Sequence, residues 1–436
     1  MKMKRILTLL MLFFVMTPLL HPSAFAEPER ETAVYLPLVR TSPHTESGPM
    51  VEFRGVWVSR FDWIPDARYP ADPNKIDEIV NNVAAAGFNA IFFQVRGTAD
   101  AFYTPGLEPW SALVSGTLGQ PPNPLWDPLA LMIEKAHAKG IQVHAYMNTY
   151  PVWDKCYTLP DTDVLPMPLY RQLIIKHDVT NGVPNGVQWD EHGNIYCSDY
   201  VRGTPASDFL NDHLMAVAAD LVTRYNVDGL HLDHIRYGGE ITSCDPVSAA
   251  KYGAGCWADS GYGDWQRAQI NQVVQRFYDE VAPLKKGLWF SAAVWPIHRI
   301  NPAWGFPGLP QEGYKHYYQD SKAWLTGGTI DSISPMIYPG GATNCPDNSY
   351  WTLSRWATLV TDYQAAGNGR FIIPGIGASY CTFDEIAARI TKAREIGTVG
   401  HAIFSYSGLL AHDYFDDLAN GVYAETAVVP DITWHP

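Results

Sequence analysis

The chain has 436 residues and a formal net charge of −14, with 47% hydrophobic and only 17% charged residues. This composition excludes intrinsic disorder and a coiled coil, because a chain so rich in apolar residues and so poor in charge collapses around a core. The acidic balance argues against nucleic acid or anionic lipid as the main partner. We therefore expect an acidic globular protein that binds no nucleic acid.

The first 26 residues have the pattern of a secretory signal peptide. Lys2, Lys4 and Arg5 precede an apolar run over 6–20, and residues 24–26 form a small-x-small cleavage site. The run is too short for a membrane-spanning helix, and an uncleaved anchor is the alternative. The sequence predicts a signal peptide over 1–26 and a secreted or cell-envelope protein, with no membrane insertion after cleavage.

The rest of the chain divides into an arm, one large domain and a tail. Residues 27–50 are polar and contain proline, which predicts an N-terminal arm or tether. From Phe53 onward, short apolar runs alternate with amphipathic helical stretches, the pattern of βα units on a parallel sheet. We predict a catalytic domain over 51–425 and a C-terminal tail over 426–436.

Eight strand-and-helix units follow one another in the predicted domain. The predicted strands are 53–59, 88–95, 141–148, 227–233, 288–294, 331–338, 371–377 and 399–406. The predicted helices are 73–86, 127–139, 207–225, 264–283, 317–326, 350–366, 382–396 and 412–420. This order predicts an α/β fold of the (β/α)8 barrel type. The alternative, an open doubly wound sheet, lacks a Gly-x-Gly-x-x-Gly turn after the first strand.

Six cysteines remain after the predicted leader, an even number that favours disulfides in an exported protein. The pairs suggested by sequence proximity are Cys156–Cys197, Cys244–Cys256 and Cys345–Cys381. The connections too long for simple turns are 97–126, 149–206, 237–263 and 295–316. All of them follow strand C-terminal ends, so we expect disulfide-stapled loops at the end of the barrel where active sites lie.

Strand four carries the strongest signal for a functional site. Leu230 and Leu232 suit the outer helix layer, and since side chains alternate along a strand, His231 and Asp233 face the barrel axis. Asp233 is the last inward residue, at the C-terminal mouth and close to His234 and Arg236 in sequence. This position predicts a catalytic role, and a structural ion pair is the alternative. His231 lies deeper, where a hydrogen-bonded core histidine is the alternative.

The same alternation brings polar side chains inward from three other strands. These are Gln94 and Arg96 in strand two, Tyr146 and Asn148 in strand three, and Tyr338 in strand six. For Arg96, neutralisation of a buried carboxylate is the alternative. Barrel interiors are normally filled with branched aliphatic residues, so a polar upper layer indicates function. Aromatic residues are also abundant in the mouth-side loops, among them Trp295. Flat aromatic faces stack on pyranose rings, so we expect a neutral or cationic glycan as the ligand.

At these positions the chain resembles the bacterial glycosyl-hydrolase-like family 10 of secreted barrel proteins. The matching stretches are Phe53–Val58, Gly87–Arg96, Trp126–Leu129, Lys139–Tyr146, Val227–Asp233, Asp264–Arg267, Asp331–Tyr338 and Ile403–Tyr406. The resemblance implies a fold similar to that of glycoside hydrolases, and some members act on the glycan strands of peptidoglycan. Two positions depart from the family pattern: His234 stands where many members have a second acid, and Met336 where many have glutamine.

We predict a secreted glycoside hydrolase that cleaves an extracellular or cell-wall polysaccharide, with amino-sugar glycans such as peptidoglycan strands favoured. Such hydrolysis commonly uses two carboxyl groups, and Asp233 supplies one, as nucleophile or as acid/base. The loop candidates for the second are Asp62, Asp100, Glu108, Glu240 and Glu312. Glu240 is preferred because it follows strand four within the same loop. A substrate 2-acetamido group in place of a protein nucleophile stays open.

The remaining predictions concern binding. The predicted substrate-binding residues are Gln94, Arg96, Tyr146, Asn148, His231, His234, Arg236, Trp295 and Tyr338. We predict no metal and no cofactor, a polysaccharide or oligosaccharide as the substrate, and a monomer. Two other functions stay open. One is a non-catalytic glycan-binding barrel of the cell envelope, and the other is a metal-dependent polysaccharide deacetylase, for which His144 and His231 lack a third ligand.

Overall fold

The computed structural model describes residues 49–64, 71–156, 158–161, 163–175, 179–180, 183–184, 186–240, 242–253, 255–339, 350–380 and 382–435. Their main feature is a barrel of parallel strands. The strands are β1 (Phe53–Val58), β2 (Ala90–Arg96), β3 (Gln142–Asn148), β4 (Gly229–Asp233), β5 (Trp289–Val294), β6 (Ser332–Pro335), β7 (Phe371–Ile372 and Gly375–Gly377) and β8 (Gly400–Phe404). Each pairs with its neighbour in sequence order, and β8 pairs with β1.

The barrel closes through β7, which is made of two short pieces. Phe371–Ile372 pairs with β6, whereas Gly375–Gly377 pairs with β8. Between them, the Ile373 N–H donates to the Ile333 carbonyl at 3.0 Å, and the Pro374 carbonyl accepts from Ala402 N at 3.1 Å. The hydrogen-bonded ladder is therefore continuous around the barrel, and the predicted (β/α)8 fold is confirmed.

Helices surround the barrel and extend the loops at its mouth. They are α1 (Arg60–Trp63), α2 (Pro73–Ala86), α3 (Ala112–Ser115), α4 (Pro128–His137), α5 (Leu169–Ile175), α6 (Asp208–Arg224), α7 (Pro246–Tyr252), α8 (Tyr262–Arg276), α9 (Gly313–His316), α10 (Ser321–Thr326), α11 (Leu353–Gln364), α12 (Phe383–Ile396), α13 (Tyr406–His412) and α14 (Phe415–Asn420). Shorter helical turns are Cys256–Ala258, Phe277–Val281, Ala282–Leu284 and Pro302–Trp304.

The helix ends follow from the local sequence. The Asp72 side chain accepts from Asn74 N at the start of α2, and Asp127 accepts from Ala130 N at the start of α4. Each cap is followed by a proline at the first helical turn, where a missing N–H costs nothing. At its other end α2 stops at Gly87, whose φ of 88° is left-handed and suits glycine. The predicted segment 412–420 differs, because the structure has two short helices there, α13 and α14.

The lower barrel interior is filled by rings. Phe53 and Trp289 contact each other with centroids 5.1 Å apart, and His144 packs edge-on against Phe53 at 5.5 Å. A Cβ atom at Gly229 would lie 2.2 Å from the Nδ1 atom of His144, so only glycine fits at that position. Burial lowers the pKa of His144 to about 4, which keeps the ring neutral in this layer.

Two disulfides staple loops at the mouth of the barrel. Cys156–Cys197 and Cys244–Cys256 have Cα separations of 5.5 and 5.9 Å, which confirms two of the suggested pairs. Cys345 and Cys381 lie outside the described residues. The first disulfide spans the long connection after β3, whose short strands are Pro151–Trp153, Val179–Thr180, Val183–Pro184 and Val201–Arg202.

The two ends of the described domain meet at the opposite end of the barrel. Met50–Val51 pairs in parallel with Ala427–Val428. Further along, the indole N–H of Trp434 donates to Asp331 Oδ1 at 2.6 Å, and its ring contacts Phe371. The described part of the predicted tail is thus packed on the barrel. The predicted signal peptide and nearly all of the predicted arm lie outside the described residues. Within the described ranges, no helix combines the length and apolar character needed to cross a membrane.

Candidate active site

A pocket of about 430 Å³ opens at the C-terminal ends of the barrel strands, and we call it the mouth pocket. Its lining residues come from the strand ends and from the loops after β1 and β3. They are Trp57, Ser59, Arg60, Phe61, Gln94, Tyr146, Asn148, Asp199, Tyr200, Asp233, His234, Arg236, Ala293, Met336, Tyr338 and Phe404. Seven predicted site residues are brought together here: Gln94, Tyr146, Asn148, Asp233, His234, Arg236 and Tyr338.

Asp233 lies at the centre of this cluster, where three donors fix its carboxylate. The Tyr146 hydroxyl donates to Oδ2 at 3.2 Å, and Oδ1 accepts from the His234 backbone N–H at 2.5 Å and from Arg236 Nη1 at 3.1 Å. The side chain keeps 13% of its surface exposed. The carboxylate is therefore held in one orientation while one edge stays open to a ligand.

The electrostatics of the cluster keep Asp233 ionised. Burial alone would raise the pKa of its carboxyl, but the neighbouring positive charge and the His234 N–H outweigh burial and lower the pKa to about 2. The permanent cation is Arg236, because burial lowers the pKa of His234 to about 3 despite the nearby carboxylate. The His234 ring is thus neutral, and its Nδ1 accepts from Arg236 Nη2 at 3.4 Å.

The backbone at His234 explains how its N–H reaches the carboxylate. His234 has a φ of 51°, in the left-handed region that a residue with a side chain rarely adopts. Such a conformation costs on the order of 1–3 kcal/mol and is found mainly at functional sites. Here it turns the chain sharply after β4, so that the N–H points back at Asp233.

Asn148 stands beside Asp233 with an unused hydrogen-bond acceptor. The two residues are direct partners in the parallel register of β3 and β4, so their side chains point the same way. The Oδ1 atom of Asn148 is buried and has no hydrogen-bond partner. A buried amide oxygen without a donor is costly. Asn148 lines the mouth pocket beside Asp233, but this oxygen is buried, so Asp233 is the exposed acceptor of the two.

Two tyrosines add donors, and an apolar floor lies beneath them. Burial raises the pKa of Tyr146 and of Tyr338 well above the usual range, so both hydroxyls stay protonated. The Tyr338 ring stacks on Phe404 with centroids 5.0 Å apart and an interplanar angle of 5°, and both rings contact Trp57 edge-on. These rings and Met336 make up an aromatic and apolar part of the pocket lining.

His231, which is predicted to bind substrate, does not line the mouth pocket. It is fully buried one layer below, where Nε2 accepts from the Trp57 indole N–H at 3.3 Å and Nδ1 contacts Ser291 Oγ at 2.8 Å. Burial lowers its pKa to about 3, so the ring is neutral. The alternation along β4 places His231 inward, but it is two residues too deep to reach a ligand and supports Trp57 instead.

Arg96 is also absent from the mouth pocket. A shift in strand register between Gln94 and Arg96 breaks the alternation at the end of β2 and turns the arginine aside. Its guanidinium binds both oxygens of Glu108 at 2.8–3.0 Å, and both side chains are almost completely buried. The prediction that Arg96 lines the pocket assumed a regular strand. Because the strand is irregular there, Arg96 forms a buried ion pair with Glu108 instead.

None of the five loop acids proposed as second carboxylate lines the mouth pocket. Glu240, the preferred one, is half-exposed and faces Lys315 and His316 at 3.5 and 3.6 Å. Asp62 is fully engaged, because its oxygens accept from Ser59 and from two groups at 405–407. The lining of the pocket also includes none of the other candidates, which are Asp100, Glu108 and Glu312. The preference for Glu240 rested on sequence proximity to β4, whereas the loop carries its side chain away.

The second carboxylate in the mouth pocket is Asp199, which the sequence analysis missed. Its Oδ1 accepts from Ser198 Oγ, Tyr200 N and Arg202 Nη2 at 2.6–3.1 Å. Burial would raise its pKa, but the charge of Arg202 and these hydrogen bonds lower it to about 2. Its side chain is 55% exposed. Asp199 lies in the insertion after β3, two residues beyond a disulfide-bonded cysteine, and insertions of this kind have no periodicity that reveals side-chain direction.

The same insertion completes one wall of the pocket. The Tyr200 ring packs edge-on against His234 at 5.5 Å, and its hydroxyl accepts from Arg60 Nη2 at 2.9 Å. Phe61 stands at the rim with 59% of its surface exposed. The disulfide Cys156–Cys197 anchors this wall, so that Asp199 and Tyr200 are held over β4.

Trp295, the last predicted binding residue, lies beside the mouth pocket. The Arg236 guanidinium lies 5.6 Å from the centroid of its ring. Trp295 itself lines a neighbouring groove. Among the described residues, no three His, Cys, Asp or Glu side chains come together as a metal-binding group.

Comparisons with known proteins show which family the sequence matches. The profile of the glycosyl hydrolase-like 10 family matches residues 52–361. The glycosyl hydrolase YngK of Bacillus subtilis is 26% identical over 401 residues, which cover 88% of this chain and 74% of YngK. The glycosyl hydrolase DigH of Escherichia coli K12 is 27% identical over 336 residues, or 71% of this chain and 70% of DigH.

Solved structures share the fold at low sequence identity. The glycoside hydrolase domain of PgaB (BpsB) from Bordetella bronchiseptica superimposes with a TM-score of 0.58 at 12% identity, over 84% of this chain and 98% of that domain. The α-L-fucosidase isoenzyme 2 from Paenibacillus thiaminolyticus has a TM-score of 0.51 at 13% identity, over 86% of this chain and 49% of its own. These neighbours support the barrel architecture of glycoside hydrolases.

Proposed function

The chain belongs to the glycosyl hydrolase-like 10 family, and we propose that it is a secreted glycoside hydrolase that cleaves an extracellular or cell-wall polysaccharide. The observation that carries the proposal is Asp233: an ionised, oriented and partly open carboxylate at the mouth of a barrel, beside aromatic rings that suit a sugar. The two disulfides support export, because such bonds persist in oxidising compartments.

The donors and acceptors of the mouth pocket favour a 2-acetamido sugar. Asp233 is the exposed acceptor for an amide N–H or a hydroxyl, and Asn148 lines the pocket beside it. The protonated Tyr338 hydroxyl is a donor for an amide carbonyl, whereas the Tyr146 hydroxyl already donates to Asp233. The apolar side chains of Trp57 and Met336 suit a methyl group. We therefore propose an amino-sugar glycan such as peptidoglycan strands as the first substrate class to test.

The low pKa of Asp233 assigns its role in the proposed reaction. A group with a pKa near 2 is a poor proton donor at neutral pH, so Asp233 acts at the anomeric centre as nucleophile or as the base that orients an acetamido nucleophile. The lone pair of the nucleophile forms the new bond to the anomeric carbon as the glycosidic C–O bond breaks. The leaving oxygen then needs a proton from another group.

We assign that proton transfer to Asp199, the other carboxylate in the pocket. Its three donors all contact Oδ1, Asp199 lines the pocket, and among the described residues no hydrogen bond to Oδ2 is found. The Asp199 side chain is half-exposed to water in the free protein. A sugar bound in the pocket excludes water from its carboxylate. Desolvation raises the pKa of a carboxyl group, which is the direction that a general acid requires. Asp233 changes less on binding, because it is already buried.

The test of the function is the release of new reducing ends from a panel of polysaccharides, with amino-sugar glycans included. The wild type should release them from at least one glycan. Asp233→Ala should lower kcat by at least about 10²-fold, because the loss of a catalytic acid or base typically lowers the rate about 10²- to 10⁴-fold. Equal activity of the two proteins would remove Asp233 as a catalyst. Partly exposed Asp190→Ala, in the same insertion as Asp199 but outside the lining of the mouth pocket, is the matched control.

The role of Asp199 is tested by the leaving group. Asp199→Ala should lose far more activity on a natural glycan than on an aryl glycoside whose phenolate leaves without a proton. Asp233→Ala should lose activity on both substrates. An equal loss by Asp199→Ala on both substrates would contradict proton transfer by Asp199.

A non-catalytic glycan-binding barrel is the second candidate, and one observation favours it: both pocket carboxylates are ionised in the free protein. A binder should hold a glycan without releasing reducing ends, and Asp233→Asn should keep its affinity. Measurable glycan binding with no hydrolysis of any member of the panel would support this candidate over the enzyme.

A further inference from the structure

A second cavity lies next to the mouth pocket, at the same end of the barrel. It has a volume of about 370 Å³, and we call it the aromatic groove. Its lining residues come from the loop after β5 and from the segment that precedes α11. They are Trp295, Pro296, Ile297, Pro307, Gly308, Leu309, Pro310, Gln311, Tyr350 and Trp351.

Trp295 forms one wall of the groove, and its neighbours hold it in one orientation. The Trp295 indole N–H donates to the Gln311 carbonyl at 2.8 Å, and its backbone N–H donates to Gln319 Oε1 at 2.7 Å. Its carbonyl accepts from the Tyr363 hydroxyl at 2.7 Å, and Tyr317 packs on the ring with centroids 4.0 Å apart. Four contacts thus fix one wall before any ligand arrives, which lowers the entropy cost of binding.

The chemistry of the wall is apolar and uncharged. Among its described lining residues none carries a charge, and prolines, aromatic rings and Leu309 supply most of the surface. Leu309 is fully exposed, and Tyr350 packs edge-on against Trp351 at 4.9 Å. Fully exposed leucine beside partly exposed rings is unfavourable in water unless something covers it. An uncharged sugar, with its apolar ring faces, matches this surface, whereas an anionic ligand finds no cation within it.

The groove is continuous with the candidate active site through one side chain. Arg236 contacts Asp233 at 3.1 Å on one side, and its guanidinium lies 5.6 Å from the Trp295 ring on the other. A chain that places one sugar at Asp233 therefore passes Arg236 and reaches the groove. Arg236 lines the mouth pocket and Trp295 lines the groove, so this contact joins the two linings.

We propose that the aromatic groove binds a further uncharged sugar unit of the same glycan chain, such as an N-acetylglucosamine unit of a peptidoglycan strand, so that the protein recognises the interior of a chain rather than a terminal sugar. This inference rests on the proposed glycoside hydrolase function and adds the length of its substrate. The affinity then rises with chain length until the groove is filled, and cleavage occurs within the chain.

The experiment uses the inactive Asp233→Asn protein and N-acetylglucosamine oligomers of two to six sugars, so that binding is measured without hydrolysis. The test variant is Leu309→Ser/Tyr350→Ser, which removes two groove side chains and keeps the backbone contacts of Arg355 with the Tyr350 carbonyl. The matched control is Leu125→Ser, because Leu125 is 72% exposed and lies outside both cavities.

The groove variant should bind the longest oligomer about tenfold more weakly, a loss of one decade in Kd, and should bind the disaccharide as the parent does. The control should match the parent at every length. Equal affinity of the groove variant and the parent for the longest oligomer would overturn the proposal. If the double variant does not fold, Leu309→Ser alone serves, because that side chain makes no buried contact.

Hydrolysis assays with proteins that keep Asp233 distinguish failure of this inference from failure of the proposed function. Chain-length-dependent binding that the groove variant loses, with no hydrolysis by the wild type, would retain the groove and reject the enzyme. Hydrolysis that releases only terminal sugars, in wild type and groove variant alike, would retain the enzyme and reject the groove.

Discussion

Two arginine–carboxylate pairs lie at the mouth end of the barrel, and they differ in what surrounds the carboxylate. Arg96 holds Glu108 through both oxygens, with the two side chains 0% and 1% exposed. Arg236 holds Asp233 through one oxygen, and Asp233 is 13% exposed at the mouth pocket. Both carboxyl groups have a pKa lowered to about 2. A shifted pKa therefore does not identify a site by itself, and access to a ligand distinguishes the two pairs.

The Arg96–Glu108 pair, which is sealed from solvent, should control stability rather than activity. Glu108→Gln leaves the guanidinium of Arg96 buried without a counter-charge, and breaking such a pair costs roughly 3–5 kcal/mol of unfolding free energy. Denaturant unfolding measures the loss, and exposed Glu395→Gln, a surface ion pair, should change it by less than about 1 kcal/mol. A Glu108→Gln protein as stable as the control would break the contrast between the two pairs.

The Arg96–Glu108 pair also makes the free energy of unfolding depend on pH. Burial raises the pKa of Glu108, but Arg96 and His213 outweigh it and lower the pKa from 4.5 to about 2 in the folded protein. Its ionised form therefore stabilises the fold above pH 4.5, and this contribution is lost as the pH falls from 4.5 towards 2. The loss should be smaller in Glu108→Gln, and an identical pH dependence of unfolding in both proteins would contradict the assignment.

The Arg236–Asp233 pair, which is open to the mouth pocket, should instead control the pH profile of activity. Arg236→Gln removes the cation next to Asp233, which raises the pKa of that carboxyl and lowers kcat/KM by about tenfold at neutral pH, near the value of one weakened charged hydrogen bond. The acid limb of kcat/KM should also move to higher pH, because Asp233 takes up its proton sooner. Arg96→Gln should leave that limb in place. A limb that shifts equally in both variants would argue that neither arginine acts on the reacting group.

The smallest effect is expected from the third partner of Asp233. Tyr146→Phe removes the hydroxyl that donates to Oδ2 at 3.2 Å and leaves the ring in place. A hydrogen bond of this kind contributes about 1 kcal/mol, so kcat/KM should fall by several-fold with little change in the thermal midpoint. A large loss of stability would show that Tyr146 has a mainly structural role.

Period-two alternation predicts the strand positions well, and it fails where the backbone departs from a regular strand. Leu230 and Leu232 identify the outward phase of β4, so Asp233 follows as an inward residue at its end. At β2 the same rule places Arg96 in the pocket, but a register shift after Gln94 turns it towards Glu108. The rule needs regular geometry, and a bulge has no mark in the sequence of these residues.

Loop residues are harder to place, because their direction is set by tertiary contacts. Glu240 is close to Asp233 in sequence, yet its loop directs it towards Lys315. Asp199 is far away in sequence, yet the disulfide Cys156–Cys197 and the strand pairing of Val201–Arg202 bring it to the pocket. Only the cysteine next to it indicated that this part of the insertion is held in place.

The most direct test of the account compares the two carboxylates in one assay. The kcat of Asp233→Asn and of Glu108→Gln should be measured on the glycan that the wild type hydrolyses, at a temperature where both variants are folded. We predict a loss of at least about 10²-fold for Asp233→Asn and a kcat within about threefold of wild type for Glu108→Gln, since its carboxylate contacts no ligand. Similar losses in both variants, or a larger loss in Glu108→Gln, would contradict the assignment of the open pair as the catalytic one.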